Sequence, residues 1–165
     1  MTVKVKAIAA MAENRVIGNA GGIPWHLPED MKHFAKLTTG HSVLMGSKTY
    51  WSLPEKFRPL PNRQNIVASR TPESLSLEKD IQVITDPLKF IEDCKSGEVQ
   101  LESSELWIIG GAEIYSLTKS CWDELHLTVV QGAPEGDAFF PEFESQFTLS
   151  ASKKTDRADF RCYRI

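Results

Sequence analysis

Apolar and polar positions along the chain fall into short runs separated by glycine, proline and polar residues. Val3 and Val5 alternate with Lys4 and Lys6 before an apolar segment over 7–12, which predicts a strand running into a core. "SVLMG", "NIVAS" and "ELWIIGG" are short continuous apolar runs, suited to parallel strands covered on both faces. The pattern predicts strands over 3–12, 42–46, 64–69, 81–85, 105–109, 124–131, 146–153 and 158–165. In "ELHLTVV", Leu125, Leu127 and Val129 share one face and His126, Thr128 and Val130 the other. "QFTLSASKK" and "ADFRCYRI" flank the polar "TDR" and predict a closing hairpin.

Helices are predicted after Pro28, in "SKTYWSL" after Gly46, in "TDPLKFIEDCKSG", and in "AEIYSLTKS" after Gly111. The third has Asp86 as cap, Pro87 at its first position and Gly97 as stop, with Leu88, Ile91 and Cys94 on one face. The order βαβα, ending in ββ, predicts an α/β fold with a mixed sheet and helices on both faces. Loops over 52–62 and 131–141 punctuate it without separating domains.

Composition narrows the class. A chain of 165 residues with 41% hydrophobic content suits one globular domain over 1–165. A net charge of −3 with 25% charged residues argues against a general nucleic-acid surface. No apolar run approaches the roughly 20 residues of a membrane span. The expected compartment is the cytoplasm. Cys94, Cys121 and Cys162 are odd in number, with no CxxC, and read as reduced core thiols. His26, His33, His41 and His126 form no spaced metal pattern, and no metal is expected.

"IPWHLPEDMKHF" opens the first helix with two acids. At about 100° per residue from Leu27, Glu29, Lys32, His33 and Lys36 form a solvated face between about 140° and 240°. Asp30 falls at about 300°, between Phe34 and Leu37, on the side that also holds Met31 and Ala35. Glu29 and His33 are therefore expected in solvent and Asp30 buried. A buried carboxylate needs a partner. A structural cap and a ligand offering paired N–H donors both satisfy that need, and an acid in an apolar pocket supports proton transfer.

Two strands run into glycine and then a helix, "SVLMG-SKTY" and "LWIIGG-AEIY". Free N–H groups at such turns, with glycine allowing close approach, suit an anion such as a diphosphate. Ser69 and Arg70 end a third strand at the edge where α/β sheets bind ligands, and Lys48 follows Gly46. A basic pair there suits the extra phosphate of NADP(H). Arg58 and Arg63, stiffened by prolines in "FRPLPNRQN", suit an anionic substrate tail.

The segments "AIAAMAENRVIG", "GGIPWHLPEDMKHF", "VLMGSKTYWSLP", "RPLPNRQNIVASR", "WIIGGAEIY", "LHLTVV" and "EGDAFFP" come in one order along nearly the whole chain. In that order and spacing the sequence resembles the dihydrofolate reductase family. The resemblance implies a mixed eight-stranded sheet, mostly parallel with an antiparallel C-terminal strand, flanked by four helices. It implies NADPH-dependent reduction of 7,8-dihydrofolate to 5,6,7,8-tetrahydrofolate for one-carbon metabolism, with antifolate inhibitors as further ligands; a monomer is the default expectation.

The resemblance also implies residue roles. Asp30 is the single acid that meets the pterin, Thr128 steadies it, and Trp25 orients a water beside it. Ile8, Ala9, Met31, Phe34, Leu53, Leu60 and Ile109 line the pterin and benzoyl rings. Arg63 clamps the substrate's α-carboxylate, with Arg58 a looser neighbour. Val16, Ile17, Gly18, Asn19, Ala20, Gly21 and Gly22 form a mobile loop over nicotinamide, ending at Ile23, and Asp137 supports it from a distal loop. Ala10, Ile17 and Tyr115 line the nicotinamide site. Gly46, Ser47, Lys48, Thr49, Ser69 and Arg70 meet the cofactor on one side. Gly110, Gly111, Ala112, Glu113 and Ile114 meet it on the other, with a cis peptide between the glycines. Ser47 stands where relatives often carry arginine, and Glu113 where some do, which narrows the margin for NADPH over NADH.

Overall fold

In a computed structural model that describes residues 2–165, six parallel strands lie side by side in one sheet, from one edge inward. In chain order these are β1 (Lys4–Ala12), β3 (Ser42–Gly46), β4 (Gln64–Ala68), β5 (Ile81–Ile84), β6 (Glu105–Gly110) and β7 (Glu124–Val130). The hairpin of β9 (Thr148–Lys154) and β10 (Ala158–Arg164) completes an eight-stranded sheet ordered β5-β4-β3-β6-β1-β7-β10-β9. Strand β10 pairs antiparallel with both β7 and β9. The sheet is thus the expected mixed one. A short ribbon of β2 (Val16–Gly18) and β8 (Ala138–Phe139), absent from the sequence reading, lies beside it.

Four helices cover the faces: α1 (Pro28–Thr38), α2 (Ser47–Ser52), α3 (Pro87–Ser96) and α4 (Ala112–Thr118). The strand pleat divides the core. Ala7, Leu44 and Ile108 point to one cluster with Phe90 and Ile91 of α3 and Ile114 and Tyr115 of α4. Ile8, Val43, Met45 and Trp107 point to the other, which takes in Tyr50 of α2 and Phe34 and Leu37 of α1. Both faces of β3, β4 and β6 are buried, hence their continuous apolar sequences.

Several expectations need correction. In α3 the buried residues are Pro87, Phe90, Ile91 and Cys94, while Leu88 is 37% exposed. The buried face is rotated toward the i, i+3, i+4 set that meets α4. Strand β9 starts at Thr148, later than expected, and is exposed along its length as an outer edge. Of the cysteines only Cys94 is a core residue, and Cys121 and Cys162 are half-buried; all three are free. Glu29 and His33 are half-buried, not solvated. Thr155, in the turn between β9 and β10, donates its hydroxyl to Glu29 at 2.8 Å, and His33 packs edge-on against Phe160 at 4.8 Å. A helical wheel sees only the helix, and here the C-terminal hairpin closes over the side the wheel leaves open.

Helix α3 offers a clean test of its ends. Asp86 accepts from the Lys89 backbone N–H at 3.1 Å, and Gly97 ends the helix at φ 89° with open space around its missing Cβ. Asp86→Ala and Gly97→Ala should each lower stability by about 1 kcal/mol, the first through the lost cap and the second through left-handed backbone strain alone. Urea unfolding of both variants measures it.

Candidate active site

The first turn of α1 meets β7 through one side-chain bond. Pro28 starts the helix without a side-chain cap, which leaves Asp30 free to face outward from the turn. Thr128, 1% exposed on β7, donates its hydroxyl to Asp30 Oδ1 at 2.7 Å. Asp30 is half-buried, less enclosed than the wheel suggested. Burial pushes its carboxyl above the usual value, Glu29 adds to that, and the Thr128 bond opposes both. Trp25 and Ala10 pack beside Leu27, Val130 and Ala158 in the small cluster that seats this turn. Met31 lies on the apolar side of the wheel but is 62% exposed.

The apolar residues singled out by the resemblance come together. Ile8 and Leu60 are buried in one cluster, and Phe34, Leu53 and Ile109 pack half-buried against it. Ala9 and Met31 are the exceptions, the first packing against the opposite core cluster and the second exposed. Arg63 stands over the Phe34 ring at 5.9 Å, held by bonds from Nε to the Pro61 carbonyl at 2.9 Å and from Nη1 to the Thr38 hydroxyl at 3.1 Å. Arg58 lies over Trp51 at 4.7 Å with its Nε 3.9 Å from Glu78. Asn65 fixes the loop between them, exchanging hydrogen bonds with both the N–H and the carbonyl of Leu60 at 2.9 Å. Sequence reading missed Asn65, because its partner lies five residues back, on the far side of the turn over 61–64.

The two glycine-ended strands, β3 and β6, are neighbours, with Met45 opposite Gly110. Gly46 precedes α2 and Gly111 precedes α4, and neither helix has a side-chain cap. The first N–H groups beyond both glycines are left for solvent or a ligand. The Gly110–Gly111 peptide is cis, as the resemblance implied. A Cβ on Gly46 would lie 3.0 Å from Ile114 Cγ1, and one on Gly111 3.3 Å from Thr49 Oγ1, so a side chain at either turn would have to push its neighbour aside. Tyr115 donates its hydroxyl to the Ile8 carbonyl at 2.6 Å, tying α4 to β1. Ser69 is buried and accepts from the Thr71 N–H at 3.0 Å. Lys48 is exposed, with Ser47 and Ala112 half-buried on the two helices. Arg70 is exposed but not free: it is ion-paired with Glu113 of α4.

Residues 16–22 form the outer ribbon. Val16 and Gly18 pair with β8, and Asn19 and Gly22 exchange backbone bonds at 2.8 and 3.0 Å. Ile17 packs against the core from this ribbon, Gly21 sits at φ 83°, and Ile23 is 66% exposed. Asp137 does support the segment: its Oδ2 accepts from the Ala20 N–H at 3.1 Å, and its own N–H bonds the Gly18 carbonyl at 3.0 Å. Gly136 was not singled out in the sequence. A Cβ there would collide with the Val16 side chain and come within 2.7 Å of the Gly18 carbonyl. Only the cross-ribbon pairing reveals that need. Gly136→Ala should push the ribbon apart, so that hydrogen exchange at Ala20 and Asp137 quickens while amides of β7 keep their protection.

A family model described as dihydrofolate reductase matches residues 4–165. The dihydrofolate reductase of Bacillus subtilis (strain 168) is 40% identical over 151 residues, 91% of this chain and 83% of that protein. The Mycobacterium tuberculosis (H37Rv) dihydrofolate reductase is 39% identical over 140 residues, 83% of this chain and 80% of its own. Among solved structures, dihydrofolate reductase from Enterococcus faecalis complexed with NADP(H) and RAB-propyl is similar, with a TM-score of 0.83 and 28% identity. The match covers 98% of this chain and 95% of that one.

Proposed function

The chain belongs to the dihydrofolate reductase family, and we propose that Asp30 is the acid around which its cleft reduces 7,8-dihydrofolate to 5,6,7,8-tetrahydrofolate. All 165 residues act as one reductase domain. The observation that carries the reading is the Thr128–Asp30 bond of 2.7 Å, which leaves the second carboxylate oxygen of a half-buried acid without a protein donor among the described residues. A pterin edge presenting an amino group and a ring N–H satisfies that oxygen and its neighbour as a pair.

NADPH, when bound, supplies the hydride that C6 of the pterin receives. Its fit is supported by the adjacent Gly46 and Gly110–Gly111 turns, which are tightly packed without side chains of their own and whose N–H groups lack caps. Gly46, Ser47 and Thr49 would hold it from one side and Gly111, Ala112 and Glu113 from the other, with Lys48 and Arg70 toward the extra phosphate. Tyr115, Ala10 and Ile17 bound the nicotinamide end.

Asp30 accepts hydrogen bonds from the pterin, and Thr128 keeps the carboxylate aimed. N5 takes its proton from a water beside Trp25, and the raised affinity of Asp30 for protons keeps the pterin edge polarised for that transfer. Phe34, Leu53, Leu60 and Ile109 exclude bulk water around the rings, Met31 gains its missing cover from the ligand, and Arg63 meets the α-carboxylate. Antifolates with a comparable donor edge compete for Asp30. No described helix is long and apolar enough to cross a membrane, and we place the protein in the cytoplasm as a monomer.

Asp30→Asn should lower kcat/KM by roughly 10²-fold or more at neutral pH and less in acid, where the substrate arrives already protonated. Equal losses at both would remove proton handling from Asp30. Stability moves the other way. The folded carboxyl titrates above its ordinary 3.8, so its ionisation costs stability as pH rises from there through the raised value. Relative to wild type, Asp30→Asn is therefore more stable at neutral pH than in strong acid, as denaturation at both pH values reads. Thr128→Val removes the one opposing bond and should move the acid limb of the rate profile to higher pH.

Glu113 occupies Arg70 and so competes with a phosphate for it. Glu113→Gln should lower the KM for NADPH several-fold and leave that for NADH unchanged, whereas Arg70→Gln should raise the NADPH KM. Steady-state kinetics with both nucleotides test the assignment.

A further inference from the structure

On the same pleat of β7 as Thr128, toward the strand's N-terminal end, Glu124 and His126 stand side by side, and Cys162 of β10 lies directly across from His126. Nε2 of His126 is 3.0 Å from a Glu124 carboxylate oxygen and 4.0 Å from Cys162 Sγ. All three ligand atoms fall within 4.8 Å of one another. Ligands on a tetrahedral zinc ion, bound at about 2.0–2.1 Å through nitrogen or oxygen and about 2.3 Å through sulfur, stand roughly 3.3–3.6 Å apart. Small side-chain rotations bring this triad to that spacing.

We propose that Glu124, His126 and Cys162 form a binding site for a divalent transition-metal ion of the zinc class, with water as the fourth ligand. The donor set is the mixed carboxylate, imidazole and thiolate such ions favour, and it disfavours magnesium or calcium, which take oxygen. On binding, Cys162 releases its thiol proton to solvent, His126 offers the Nε2 lone pair with its proton on Nδ1, and Glu124 gives a carboxylate oxygen. No electron changes hands. The β7–β10 register fixes the strand positions, and the Trp107 ring, 5.0 Å away, packs against the imidazole. Glu124 and His126 side chains are 18% and 17% exposed, open enough for an ion to enter and covered enough to hold it.

The surrounding charges permit it. Lys6 is nearer Glu105, at 3.3 Å, than Glu124, at 3.9 Å, so it keeps a carboxylate partner when a metal takes Glu124. His41 sits 3.8 Å from the other oxygen of Glu105. Arg164 on β10 and His33 on α1 are the other basic groups close enough to act on His126. None of the three ligands belongs to the Asp30–Thr128 site, so occupancy is independent of the reductase reading.

The test uses the full chain, reduced and stripped with a chelator, titrated with Co(II). The expected result is one equivalent bound with a near-ultraviolet thiolate-to-cobalt charge-transfer band that Zn(II) abolishes stoichiometrically. Cys162→Ser should remove the band while retaining turnover of dihydrofolate, which certifies the fold, and Cys121→Ser should keep it. Glu124→Gln and His126→Gln should each weaken Zn(II) at least roughly tenfold in competition with a chromophoric chelator, a loss that even outer-shell changes reach. Absence of the band in the wild-type protein, or its survival in Cys162→Ser, overturns the proposal.

Discussion

The site depends on holding one carboxylate partly out of water against its own preference for solvation. Burial and Glu29 press Asp30 toward its neutral form, and a single hydroxyl, from Thr128, resists. That balance needs α1 and β7 in fixed relation, because a hydrogen bond of 2.7 Å tolerates little drift. Leu27, Val130 and Ala158 supply the apolar seat that fixes it. The hairpin of β9 and β10 then covers α1 from outside, through Thr155 on Glu29 and Phe160 on His33.

The remaining parts of the cleft follow from the parallel sheet. Strands β3 and β6 are adjacent, so their C-terminal glycines and the helices that follow stand together although 64 residues separate Gly46 from Gly110 in the chain. The two turns pack closely without side chains of their own and leave backbone N–H groups uncapped, a surface that recognises anionic oxygen more by shape than by charge. The charged groups nearby are partly committed elsewhere. Arg70 answers to Glu113, and Arg58 leans on Trp51 and Glu78. Selectivity for a phosphate is thus set by competition within the protein as much as by the count of basic residues.

The outer ribbon shows a second kind of dependence. Residues 16–22 are held by backbone pairs to β8 and by the Asp137 carboxylate, with few apolar contacts beyond Val16 and Ile17. Such a segment opens more readily than the strands beneath it. The steric fit of Gly136 under Val16 determines how closely the ribbon lies.

The eight strands of the main sheet, the four helices and their order were legible in the sequence because each rests on local rules: alternation or continuous apolarity for strands, Asp86–Pro87 and Gly97 for α3, glycine after β3 and β6. The wheel's contrast between a solvated Glu29 and a buried Asp30 did not hold, since both are half-buried and differ in partner, Thr155 for one and Thr128 for the other. What the sequence could not decide was contact between distant segments. The exposure of Met31, the partial burial of His33 and Glu29, the capture of Arg70 by Glu113 and the convergence of Glu124, His126 and Cys162 all arise from pairings across the fold. Periodicity fixes which side of its own element a residue takes, and only tertiary packing determines what, if anything, lies against that side.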